Sequence, residues 1–184
     1  MKVVAYCAAS FRESVTRAAG VTPFLSPPYT TNTLQRAAFV GVDLVYLKLH
    51  GLPGQPFWYG DDLVTAVSAE VVRGLALTGV TVFVANCHLF EQRADGIQPS
   101  PMLEALRTGG ALAVVGGPGE NYAKSSGLHG ADLLGCYFRR SMRLGLVPGL
   151  AFRIARAALA LSRHQDLATA DTLAFRCFEK GSWW

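Results

Sequence analysis

Four short apolar runs constrain this chain more than any other feature. Val3 to Cys7, Asp43 to Leu49, Val80 to Ala85 and Ala111 to Val115 are rich in valine, leucine and aromatic residues, and polar or glycine positions follow each within three residues. Continuous apolar runs of this length read as strands buried on both faces. Between them apolar residues recur at helical spacing: Leu34, Ala37 and Ala38 within Thr31 to Phe39, then Leu63 to Leu77, then Met102 to Arg107. Ala131 to Ser162 is also helical in pattern, broken near Val147, Pro148 and Gly149. Strands alternating with helices predict an α/β fold, a three-layer sandwich with a mostly parallel central sheet. Pro23, Pro27 and Pro28 make 20–29 a loop, with at most a short edge strand at Phe24 and Leu25.

Composition narrows the class. With 184 residues, 51% of them hydrophobic, the chain has material for one sizeable core, so 1–184 is expected to be a single domain. The net charge of +4 is scattered, which argues against nucleic acid. Its densest group, Arg139, Arg140 and Arg143, reads as a solvated helix face. The run after Lys2 is too short and too soon polar for a signal peptide and reads as a first strand. No stretch approaches the roughly 18 apolar residues that span a bilayer, so no membrane role is expected. Cys7, Cys87, Cys136 and Cys177 are widely spaced with no C-x-x-C pair, which suits a reduced, cytoplasmic protein. The end, from Gly181 to Trp184, is expected to be peripheral.

Two of the four runs deliver a reactive residue to their carboxyl ends. Leu49 is followed by His50 and Gly51, and Ala85 by Asn86 and Cys87. In open parallel sheets, strand carboxyl ends line the crevice where ligands bind. The attacking species of a cysteine nucleophile is the thiolate, which a nearby imidazole can create by taking the proton or can stabilise as imidazolium. The same imidazole can later protonate a leaving amine. Gly51 permits close backbone approach, so its N–H is a candidate for binding a developing oxyanion.

Val45-Tyr46-Leu47-Lys48-Leu49-His50-Gly51, followed by Val82-Phe83-Val84-Ala85-Asn86-Cys87, resembles the two catalytic strands of caspase-fold cysteine peptidases. Bacterial CHAT domains look closest. Asp62 to Ala66 resembles the segment opening the helix between His and Cys in that family, Gly109 to Val115 the strand after the cysteine, and Phe138 to Ala158 the closing helices. The resemblance implies a caspase-like fold and a cysteine endopeptidase working through an acyl-enzyme. Within it His50 is the base and Cys87 the nucleophile, with Gly51 and the Cys87 N–H at the oxyanion. It implies no cofactor, a protein or peptide substrate, and room for a regulatory partner. Two positions depart from family patterns. Ala85 stands where members cleaving after basic residues carry an acid, and the caspase Gln-Ala-Cys string is absent.

Other residues carry weaker signals. Trp58 and Tyr59, in the loop after His50, either line a substrate subsite or cap the core edge, and Asn86 joins them as a candidate substrate contact. His88 falls on the far side of an extended chain from Cys87. The spacing of His129 and Cys136 suits no zinc site, and Gly116 to Gly119 lacks the lysine of a phosphate loop. Cys7, Cys136 and Cys177 read as packing residues. Two competing readings remain: a catalytically silent scaffolding module, and a small-molecule-binding doubly wound domain in which His50 and Cys87 coincide by chance.

Overall fold

The computed structural model describes residues 1–93, 96–121, 125–162 and 171–182. In chain order its strands are β1 (Val3–Ala8), β2 (Phe24–Ser26), β3 (Leu44–Lys48), β4 (His50–Gly51), β5 (Phe57–Tyr59), β6 (Thr65–Ser68), β7 (Thr81–Val84), β8 (Phe90–Arg93), β9 (Gly96–Pro99), β10 (Ala113–Gly116) and β11 (Arg176–Glu179). The helices are α1 (Arg12–Ala19), α2 (Ala69–Arg73), α3 (Pro101–Thr108), α4 (Gly130–Arg143) and α5 (Pro148–Ala160).

Six strands form the central sheet in the order β11-β10-β7-β3-β1-β2. All neighbours run parallel except β10 and β11, which are antiparallel. The four apolar runs become the four inner strands, and β3, β7 and β10 are buried along their whole length. One core packs Val45, Val82 and Val114 against α2 and α3 residues such as Val72, Leu103 and Leu106. The other packs Tyr46, Phe83 and Val115 against α1, α4 and α5 residues such as Val15, Leu134, Phe138 and Phe152. Helices on both faces are what a sheet with no polar side requires. This is the expected three-layer α/β architecture.

Three local expectations are overturned. Leu63 to Leu77 is not one helix, because Thr65–Ser68 pairs with β5 and α2 begins only at Ala69, capped by Ser68 Oγ accepting from Val71 N at 3.2 Å. Pairing Trp58 with Val67 buries both side chains, and that outweighs helical spacing in a β-branched segment. Thr31 to Phe39 contributes only a 3-10 turn at Arg36–Phe39, because the backbone is extended at Gln35, at φ −77° and ψ 93°, which interrupts any helix running through it. Arg139 is not on a solvated face. It is 7% exposed and donates from Nε to the Ala18 carbonyl at 2.8 Å, satisfying the end of α1, while Arg140 and Arg143 are exposed.

Gly181 and Ser182 are exposed, as expected of a peripheral end, and positions 183 and 184 lie outside the described residues. Among the described residues no helix is long and apolar enough to cross a membrane.

Candidate functional site

The parallel pairing of β3 with β7 sets Leu47 beside Val84, so the chain leaves both strands at the same sheet edge. Two contacts then lock the departing segments together. Asn86 Oδ1 accepts the Leu49 N–H at 2.8 Å, and Ala85 N donates to the Leu47 carbonyl at 2.8 Å. Beyond them Gly51 approaches Cys87 so closely that a Cβ on Gly51 would stand 2.2 Å from the Cys87 carbonyl oxygen. Any larger residue there would push the histidine segment away from the cysteine segment.

Cys87 is half-buried beside an open cavity of about 210 Å³, lined by Gly51, Leu52, Cys87, His88, Glu120 and Asn121. The loop after β10 folds over the thiol. Asn121 N donates to Cys87 Sγ at 3.2 Å, the thiol points back at the Asn121 carbonyl at 3.7 Å, and Asn121 Nδ2 donates to the Asn86 carbonyl at 2.6 Å. The loop is held from its other side by His88 N, which donates to the Gly119 carbonyl at 2.7 Å. The segment Gly116 to Gly119 leaves β10 beside the cavity, with Pro118 bridged to Phe90. At Gly116 a Cβ would meet Leu89 at 2.2 Å, so this segment packs directly on the cysteine loop.

Burial raises the Cys87 thiol above its ordinary value, the Asn121 N–H opposes that, and the Glu120 charge adds to it. Of the two routes to the thiolate, this environment favours the one in which the proton stays on sulfur until a base removes it. Cys7 and Cys177 are pushed up to about 12, chiefly by burial.

His50 opens the β4–β5 hairpin opposite Tyr59. Its ring lies 5.2 Å from that of Phe11, and its Nε2 lies 3.7 Å from Asp61 Oδ1. The candidate substrate contacts divide. Trp58 is 1% exposed, with Cδ1 under Gly51, so it backs the site from within the core and cannot touch substrate. Asn86 is likewise 1% exposed, and its side chain serves as a clamp between the two segments. Tyr59 is partly exposed on the histidine hairpin and keeps an accessible edge.

Sequence reasoning missed Asp61, Phe11, Glu120 and Asn121, which come from loops without periodicity. It also missed a buried polar group beneath the site. Lys48 pairs with Asp132 of α4 and donates to Ser14 Oγ at 2.9 Å, Tyr46 donates to Asp132 at 2.8 Å, and the Lys48 ammonium lies 4.4 Å from the Phe11 ring centroid. Among the described residues no group of three or more His, Cys, Asp or Glu could hold a metal ion.

No family model matches the chain, and no curated protein matches it in sequence. Solved structures do resemble it. The Arg-specific cysteine proteinase gingipain R superposes with a TM-score of 0.58 at 14% identity, over 98% of this chain and 45% of that one. The separase–securin complex of Saccharomyces cerevisiae superposes with a TM-score of 0.60 at 11% identity, over 97% of this chain and 12% of that one. A complex of Porphyromonas gingivalis RgpB pro- and mature domains gives 0.58 at 13%, over 97% and 47%. This chain has the caspase-like fold. It spans less than half the length of these structures, and at such identities the likeness is one of fold.

Proposed function

We propose that the chain is a cysteine endopeptidase of the CHAT-like kind, with Cys87 as nucleophile and His50 as its base. The observation that carries this reading is the close approach of Gly51 to the Cys87 carbonyl, which joins the histidine and cysteine segments at one cavity. His50 takes the proton from Cys87 Sγ as sulfur attacks the substrate carbonyl, and the resulting imidazolium returns it to the departing amine. Gly51 and the Cys87 N–H lie where negative charge develops on the carbonyl oxygen. A neutral resting thiol, as burial favours, makes proton transfer part of the attack. Water then opens the thioester and frees Cys87.

Substrate preference follows from the cavity. Gingipain R is Arg-specific. Here Ala85 supplies no acid before the cysteine, but the Glu120 carboxylate stands in the cavity lining and favours a basic side chain before the scissile bond. Profiling a peptide library with purified protein tests both points. Cys87→Ala and His50→Ala each abolish hydrolysis without loss of cooperative unfolding, because the pair acts as a unit. Full hydrolysis by either variant overturns the dyad. Absence of turnover together with no preferential labelling of Cys87 by an electrophilic peptide ketone favours the silent scaffolding module.

A further inference from the structure

The carboxylate beside His50 belongs to a segment that the sequence pattern left as loop. Asp61 is held by Ser10 at both oxygens: Ser10 N donates to Oδ2 at 2.8 Å, and Ser10 Oγ donates at 2.7 Å to Oδ1, the oxygen that faces His50 Nε2. Ser10 lies two residues past the end of β1, in a 3-10 turn, and its neighbour Phe11 supplies the ring that flanks His50. One turn after β1 therefore provides a wall for the imidazole and two anchors for the carboxylate.

The backbone around Asp61 is equally committed. Gly60 N donates to the Val64 carbonyl at 2.8 Å and Val64 N to the Asp61 carbonyl at 3.1 Å, closing a tight turn. Inside it Asp62 and Leu63 both sit in the left-handed region, at φ 55° and 56°. Neither is glycine, and such residues persist only where surrounding contacts over-determine them, often at functional sites. Gly60 itself is pressed on β2, where a Cβ would meet the Ser26 carbonyl oxygen at 2.4 Å.

We propose that Asp61 is the positioning residue for His50, its carboxylate holding the imidazole as the tautomer with the proton on Nε2 and leaving Nδ1 as the base toward Cys87. The 3.7 Å separation closes by about 0.5 Å or more to reach hydrogen-bond distance, as catalytic contacts commonly tighten when substrate binds. In the reaction the thiol proton passes to Nδ1, and the imidazolium that forms keeps its Nε2–H on Asp61. When Nδ1 yields that proton to the leaving amine, the original tautomer returns. The catalytic meaning of this arrangement rests on the peptidase reading, but the orientation of the ring does not.

The test reads both separately. Long-range proton–nitrogen correlation spectra of ¹⁵N-labelled protein at about pH 8, above the ordinary imidazole range, report which ring nitrogen carries the proton, and His50→Gln identifies the His50 signal. Native protein shows the Nε2–H form, Asp61→Asn loses that preference, and Ser10→Ala, which loosens the same turn but keeps the carboxylate, retains it. With a peptide substrate, Asp61→Asn lowers kcat about ten- to a hundredfold at unchanged KM, and Asp61→Glu recovers part of the loss. An unchanged tautomer in Asp61→Asn, or an equal change in Ser10→Ala, overturns the proposal. Native protein that shows the Nε2–H preference but hydrolyses no peptide sinks the peptidase reading and leaves the assignment of Asp61 standing.

Discussion

Replacing Gly51 with alanine probes the join between the two segments with a single methyl group. The added Cβ meets the Cys87 carbonyl oxygen at 2.2 Å, its carbonyl carbon at 3.2 Å and Trp58 Cδ1 at 3.6 Å. The two nearest atoms are backbone, so no rotamer can relieve the contact. Real Cβ contacts essentially never fall below 3.0 Å, so the histidine and cysteine segments must separate by at least about 0.8 Å. A displacement of that size between nucleophile and base is expected to lower kcat/KM about a hundredfold. Overpacking of this kind costs about 1–3 kcal/mol, or roughly 3–10 °C in Tm for a chain of this size. Gly79→Ala is the control: Gly79 has φ +79° but nothing within 4 Å of a Cβ, so it introduces backbone strain without crowding. The assays are hydrolysis of a fluorogenic peptide and thermal unfolding followed by circular dichroism. Gly51→Ala with native kcat/KM and native Tm refutes the reasoning, as does a Gly79→Ala variant that loses as much activity.

Three further outcomes follow from the thiols and the buried charges. Limiting iodoacetamide is expected to alkylate Cys87 ahead of Cys7 and Cys136, which are buried, and ahead of Cys177, whose thiol is pushed up to about 12, and peptide mass spectrometry over a time course reads the order. Because burial raises the Cys87 thiol and the thiolate is the reacting form, its labelling rate rises with pH from neutral into the alkaline range; a rate already flat across that range would mean a standing thiolate. Lys48→Met leaves Asp132 buried without its ion-pair partner and is expected to cost about 3–5 kcal/mol in urea unfolding, whereas Lys48→Met combined with Asp132→Leu recovers much of the loss. Equal destabilisation in the single and double variants would show that the pair is not what the sheet and α4 depend on.

The inner sheet was legible because β3, β7 and β10 are apolar along their length, a pattern that a strand buried on both faces produces directly. His50 and Cys87 were legible as strand-end residues for the same reason. The hairpin of β4, β5 and β6 was not, since Leu63, Val67 and Val71 satisfy helical spacing while Val67 in fact pairs with Trp58 across a small sheet. Asn121 reaches the Cys87 sulfur through main-chain atoms, which no side-chain identity announces. Asp61 lies in a proline- and glycine-rich stretch, and its place beside His50 depends on a chain reversal through two non-glycine left-handed residues, against local preference. Lys48 and Asp132 each break an apolar pattern. Their partnership spans 84 positions and became visible only once β3 and α4 were packed together.

Asn86 stands beside Cys87 yet does architectural work. Its side chain ties down Leu49, its carbonyl receives Asn121, and neither bond involves the sulfur. A descendant of this chain that lost Cys87 and all turnover would still need Asn86 to keep its strand ends together. Selection for folding alone therefore suffices to preserve an Ala-Asn pair at the end of such a strand. A sequence search built on that pair would collect active and silent members of the fold alike, and on the peptidase proposal the residues that would separate them are the thiol of Cys87, the imidazole of His50 and the carboxylate of Asp61.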